Sequence, residues 1–231
     1  MNRKTILMSP VDSNILKFFS NNFNVITSDC LNELISYERY HADMQAIRIK
    51  DKLFINSDSI DLIKELVNKG IDFEICTGIG HKYPDNIALN AALIGDKLLC
   101  KESSLHPQIN EFCIHNDVKI INVNQGYTKC STLVIDDNSI ITDDESIADK
   151  ATHSGINVLK IEKGDIYLDD NNYGFIGGAS ARIGDTVYFF GDIDTHRNAD
   201  KIKSFVNKFN LNIISTDSHQ LIDIGGIVVL D

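Results

Sequence analysis

The chain has 231 residues, 43% hydrophobic and 24% charged, and a formal net charge of −11 from 33 acidic against 22 basic side chains. That length and balance suit one domain spanning residues 1–231 with a substantial core, and they exclude a disordered or fibrous chain. The acidic surface speaks against nucleic acid and for a cationic small molecule as partner, and no apolar run approaches the roughly 20 residues of a membrane span.

The opening segment holds only a four-residue apolar stretch, too short for a signal-peptide core. Cys30, Cys76, Cys100, Cys113 and Cys130 are odd in number and scattered, with no CxxC pair. The expectation is free thiols in a reducing cytoplasm.

The predicted elements form a repeat. A β-rich run over 5–8 opens the chain, and an amphipathic stretch over 14–23 leads into a second run over 24–27. A hairpin follows, 46–49 and 53–55 around Lys50-Asp51-Lys52. Next come a helix over 60–69, striped by Ile60, Ile63, Leu66 and Val67 and stopped at Gly70, and a strand over 71–76. The same succession recurs three times. Hairpin 91–94/98–100 precedes helix 108–115 and strand 118–123; hairpin 132–135/139–141 precedes helix 145–153 and strand 156–161; hairpin 181–183/187–190 precedes helix 199–209 and strand 211–215. A last hairpin is expected from 221–224 and 227–230 around Gly225-Gly226. Helix–strand units interleaved with hairpins, with complementary ends, predict an α/β ring of five ββαβ repeats that closes by pairing its termini and leaves no sheet edge exposed.

In such a ring, equivalent positions of the repeats converge on the axis. Aligning the hairpins puts His41-Ala42-Asp43, Pro84-Asp85-Asn86, Thr128-Lys129-Cys130-Ser131, Gly177-Gly178-Ala179 and Asp217-Ser218-His219 at equivalent places. A cysteine beside a histidine is a nucleophile–base pair, because the thiolate is the reactive form and an imidazolium favours it. A cysteine in a β-rich run is also a common small core residue, and the residues alone leave both readings open. The histidines form no HxxxH pair, so no metal and no cofactor is expected. Gly78-Ile79-Gly80 reads as a loop, and Asp143-Asp144-Glu145 as a turn entering a helix N-terminus.

Two motifs carry a family resemblance. Gly126-Tyr127-Thr128-Lys129-Cys130-Ser131-Thr132-Leu133 is similar to the G-x-x-T-x-C-S-x-L segment of dimethylarginine dimethylaminohydrolases, and His41-Ala42-Asp43-Met44 to their H-x-D-[TM] motif. With the repeat pattern, the chain resembles a pentein, the five-fold α/β propeller of the guanidino-group-modifying enzymes, which include arginine deiminases and amidinotransferases. The resemblance implies a hydrolase or transferase for an amidino or guanidino compound. Cys130 would be the nucleophile, His41 the general acid/base, and Asp43 would orient His41 or hold a substrate N–H. Asp85, Asn86, Asp217 and His219 are the candidates for binding the cationic substrate. The fourth repeat offers Gly177-Gly178 where the family places a carboxylate, and Cys130 stands mid-chain rather than near the C-terminus. The fold also hosts a ribosome anti-association factor, so a non-catalytic binding protein is the alternative. Assembly as a homo-oligomer is left open.

Overall fold

The computed structural model describes residues 3–11 and 13–231. The chain begins with β1 (Thr5–Met8), α1 (Ser13–Asn22) and β2 (Asn24–Thr27). Four ββαβ units follow. They are β3 (Ala46–Ile49), β4 (Lys52–Asn56), α2 (Ile60–Lys69) and β5 (Glu74–Cys76); then β6 (Ala92–Ile94), β7 (Lys97–Cys100), α3 (Pro107–His115) and β8 (Lys119–Asn122). Next are β9 (Thr132–Asp136), β10 (Ser139–Thr142), α4 (Glu145–His153) and β11 (Asn157–Lys160), then β12 (Ser180–Ile183), β13 (Thr186–Phe189), α5 (Ala199–Asn207) and β14 (Asn212–Ser215). A final strand, β15 (Ile227–Val229), ends the series.

The strands form five three-stranded sheets of one design. In each, the middle strand pairs antiparallel with one neighbour and parallel with the strand beyond the helix, as β4 does with β3 and β5. The first sheet is completed from the far end of the chain. β15 pairs antiparallel with β1, Ile6 opposite Val229 and Met8 opposite Ile227. β15 packs against β3 and β12, β12 against β9, and β9 against β6, so these five strands form the inner wall around the axis.

The expected last hairpin is corrected here. Residues 221–224 form no strand; only Ile222 makes an isolated bridge, to Tyr167. The antiparallel partner of β15 is β1, so the turn that joins the strands in the other sheets has no counterpart in this one.

The helices lie outside the sheets. In α2 the buried positions are Leu62 and Leu66, one turn apart, while Ile60 and Val67 are exposed, so the buried stripe is rotated from the expected one. Gly70 ends the helix in the left-handed conformation, φ 66°, its N–H bonding back to Leu66 and Val67. Asp144 caps α4 by accepting from the Ile147 N–H at 3.0 Å, an interaction typically worth about 1 kcal/mol. Phe19 of α1 is fully buried against Phe190 and Tyr188, ring centroids 5.8 and 5.4 Å away, which ties the first helix to the fourth unit. All five cysteines are free thiols. Among the described residues, no helix is long and apolar enough to cross a membrane.

Candidate active site

Cys130 sits two residues ahead of β9, in a turn held by Ser131 N–H to the Tyr127 carbonyl and by Thr142 Oγ1 to the Ser131 carbonyl, 3.0 and 2.7 Å. His41 precedes a tight 3-10 turn, Ala42–Met44, that leads into β3. The ring closure brings these turns together. A ring nitrogen of His41, a carboxylate oxygen of Asp43 and the Cys130 sulfur all lie within 4.8 Å of one another, with each residue buried. Cys130 Sγ donates to Asp43 Oδ2 at 2.7 Å. Asn90 braces the cysteine from the other side. Its Nδ2 lies 3.4 Å from Sγ, and its Oδ1 accepts from the backbone N–H of Lys129 at 2.8 Å.

Two glycine pairs make this convergence sterically feasible. A Cβ on Gly225, which has φ 74°, would overlap His41, and one on Gly178 would overlap the carboxylate of Asp223. Gly177-Gly178 therefore supplies no carboxylate of its own but leaves room for one from the fifth repeat. Asp223 is 4% exposed and accepts from the N–H groups of Phe175 and Gly225, both at 2.9 Å.

The other carboxylates nearby are buried too. Glu38 accepts from Asn86 Nδ2 at 2.8 Å and from the Tyr127 hydroxyl. Burial raises the Glu38 carboxyl above its usual range, against these bonds and the pull of His41. Burial likewise raises Asp43, opposed by His41 and Lys129, and pushes Asp143 up to about 7, opposed by Lys163. Burial, then the charges of Asp43 and Asp223, hold the Cys130 thiol well above the ordinary thiol range. Among the described residues, five buried side-chain oxygens have no hydrogen-bond partner: Asp43 Oδ1, Asn86 Oδ1, Ser131 Oγ, Thr132 Oγ1 and Asp143 Oδ1.

The sequence-derived candidates divide. Cys130, His41 and Asp43 come together, and Asn86 joins the same neighbourhood through Glu38. Asp85 is exposed. Asp217 and His219 pair with each other at 2.7 Å beside a surface cleft lined by Tyr167 and Gln220; the structure does not group them with Cys130. Their alignment with His41 is out of register, because Asp217 stands ten residues ahead of β15, while His41 stands five ahead of β3. Glu38, Asn90, Asp143 and Asp223 were not among the candidates. Asp223 carries a legible signal, since it lies just ahead of an inner strand as Cys130 does, whereas Asp143 reads in the sequence as a turn.

The His41–Asp43–Cys130 donors could also hold a metal ion, which the absence of an HxxxH or CxxC pair had not suggested. The 2.7 Å sulfur–oxygen separation is a hydrogen bond, shorter than the roughly 3.5 Å between thiolate and carboxylate ligands of tetrahedral zinc.

Residues 9–228 match the model of a family described as "Family of unknown function (DUF6873)". The chain belongs to that family. No curated protein matches it by sequence. Among solved structures, it resembles a variant of DDAH from Pseudomonas aeruginosa complexed with citrulline, at 10% identity and a TM-score of 0.54, over 94% of this chain and 93% of that one. It also resembles agmatine deiminase from C. jejuni, at 12% identity and a TM-score of 0.57, over 94% of this chain and 88% of that one. The fold of this DUF6873 chain is that of the pentein superfamily, as the five-repeat pattern anticipated.

Proposed function

We propose that the chain is a cysteine-dependent hydrolase or transferase acting on an amidino or guanidino compound. The observation that carries this reading is the buried trio of Cys130, His41 and Asp43, in which Asp43 meets the thiol with one oxygen and leaves the other unpartnered. Asp43 Oδ1 is desolvated and lacks a donor among the described residues, a costly state that a ligand rich in N–H groups relieves. A guanidinium is such a ligand. It is cationic, planar and forked, and it suits carboxylates in pairs.

The same electrostatics couple binding to reactivity. In the free protein the Cys130 thiol is held protonated by burial and by Asp43 and Asp223. A guanidinium beside it supplies the positive charge that stabilises a thiolate, and its N–H groups take over Asp43. The thiol proton then passes to His41, within 4.8 Å. The thiolate attacks the guanidinium carbon, an S–C bond forms, and the tetrahedral adduct expels an amine that carries away the His41 proton. His41 next takes a proton from water. The hydroxyl adds to the same carbon, the C–S bond breaks, and the thiolate leaves to recover its proton. In a transferase, an amine takes the place of water.

The test is a screen of guanidino and amidino compounds for ureido product or released amine, with Cys130→Ser as control. Turnover by the Cys130→Ser protein equal to wild type rules the reading out. The protonated thiol favours a second reading, a protein that binds the cation without turning it over. Saturable guanidinium binding with no product and no covalent adduct is its signature.

A further inference from the structure

The inner strands line a second, open-mouthed space, which Lys129 and Thr132, on either side of Cys130 in sequence, also line. Two cavities of about 460 and 280 Å³ share Arg48, Lys129, Val134, Ile227 and Val229 on their walls and so form one continuous region. Its lining follows from the repeat. The third residue of an inner strand points into it, giving Arg48 from β3, Val134 from β9, Arg182 from β12 and Val229 from β15.

The charge here opposes that of the molecule. Lys4, Arg48, Lys129 and Arg182 line this region against the single side-chain carboxylate of Asp231, in a chain of net charge −11, while Lys50 at its edge donates to the Asn116 carbonyl. Among the described residues, none of these four cations has an ion-pair partner, although lysines and arginines elsewhere on the surface do. Gathering like charges around a partly enclosed space is unfavourable without a counter-charge.

The two arginines are also held in place. Arg48 donates from Nε to the Lys50 carbonyl at 3.3 Å and from Nη1 to the Leu230 carbonyl at 2.6 Å. Arg182 repeats the arrangement, with Nε on the Gly184 carbonyl at 3.0 Å and Nη1 on that of Ile135. Each guanidinium is pinned between its own hairpin turn and the neighbouring inner strand. The Nη2 groups make no hydrogen bond among the described residues. Pre-oriented forks of this kind match the oxygens of phosphate.

We propose that this cavity is a binding site for a phosphate-type oxyanion, held by Arg48 and Arg182 with Lys129 on the side of the cysteine site. Lys129 is the link between the two regions. It lines both cavities, its Nζ lies 3.4 Å from the Gly177 carbonyl, and its charge acts on Asp43. The site does not depend on Cys130 being a nucleophile.

The test is calorimetric titration of the full chain with inorganic phosphate and with glycerol phosphate, in chloride buffer of matched ionic strength. Saturable binding is expected, weakened at least about tenfold in Arg48→Gln/Arg182→Gln and retained in Cys130→Ser. If the double variant does not fold, Arg48→Lys keeps the charge and loses the fork, and it is expected to weaken phosphate binding several-fold. Tighter binding of glycerol phosphate marks a phosphate ester as the ligand, and tighter binding of inorganic phosphate marks the free ion. No saturable binding to wild type, undiminished affinity in the folded arginine variants, or loss of binding in Cys130→Ser overturns the proposal.

Discussion

The sulfur of Cys130 and Oδ2 of Asp43, 87 positions apart in sequence, share a hydrogen bond of 2.7 Å in the interior of the ring. Asp43 accepts this bond with one oxygen while its other oxygen has no partner. After burial itself, the charge of this carboxylate is the next cause that keeps the free thiol protonated.

Removing that charge is expected to liberate the thiol. In Asp43→Asn the acceptor loses its negative charge, which is among the causes raising the Cys130 pKa. The pH–rate profile for alkylation by iodoacetamide, read at Cys130 by mass spectrometry, is expected to shift to lower pH. Turnover of any guanidino substrate is expected to fall in the same variant. An unmoved profile counts against the Asp43 contact as the control on the thiol.

Charge on the probe is expected to matter more than its intrinsic reactivity. Chloroacetamidine and chloroacetamide have nearly the same shape, but only the first is cationic. At pH 7.5 the amidine is expected to label Cys130 at least about tenfold faster, the effect of a little over 1 kcal/mol of favourable electrostatics. Burial pushes Cys76 and Cys100 up to about 12, so they should remain unlabelled. Equal rates for the two probes argue against a cation site beside the sulfur.

His41→Ala is expected to lower turnover by about 10²–10⁴-fold, the usual contribution of a general acid/base group. Because His41 serves twice in the proposed cycle, the S–C adduct should persist longer in this variant. Intact-protein mass spectrometry after mixing with substrate reads this directly. Turnover within twofold of wild type removes His41 from the mechanism.

Gly178→Ala tests the space given to Asp223. The added methyl meets the Asp223 carboxylate, so the variant is expected to lose about 1–3 kcal/mol of stability by overpacking. Gly184→Ala is the comparison. Its Cβ meets nothing within 4 Å, and only its φ of 64° penalises the change, by about 1 kcal/mol. Urea midpoints of the two variants decide the point, and a smaller loss for Gly178→Ala contradicts the packing described.

Asp143 gives the stability of the fold a direction in pH. Its folded carboxyl titrates at about 7, raised by burial, against an unfolded value of about 3.9. A raised acid carries no penalty below its unfolded pKa, and the penalty is complete above its folded one. Stability is therefore expected to decline as pH rises from about 4 to about 7, by on the order of a few kcal/mol. In Asp143→Asn that slope should flatten. A slope identical to wild type assigns the effect to other groups.

Hydrophobic periodicity made the repeat legible, because every helix–strand unit must bury one face whatever its surroundings. Ile60–Lys69 and Glu145–His153 have the expected helical bounds. The pairing of β1 with β15 followed from counting unmatched ends. The site was legible only where a local motif marks it, as around Cys130 and His41. Asp223 and Asp143 escaped because their burial is decided by neighbours from other repeats. Asp217 and His219 stand level with His41 only in an alignment by expected hairpins, and the missing fifth hairpin puts that alignment out of register. Asp223 follows six residues later, in the segment taken for a strand.

The seam between β1 and β15 has a consequence for synthesis. The strand made first has its antiparallel neighbour more than 200 positions downstream, Ile6 opposite Val229. During translation its edge toward β15 stays open until residues 227–229 have emerged. Such long-range pairing slows folding and leaves the nascent chain prone to mispairing with other strands. The ring completes itself last, and by its oldest strand.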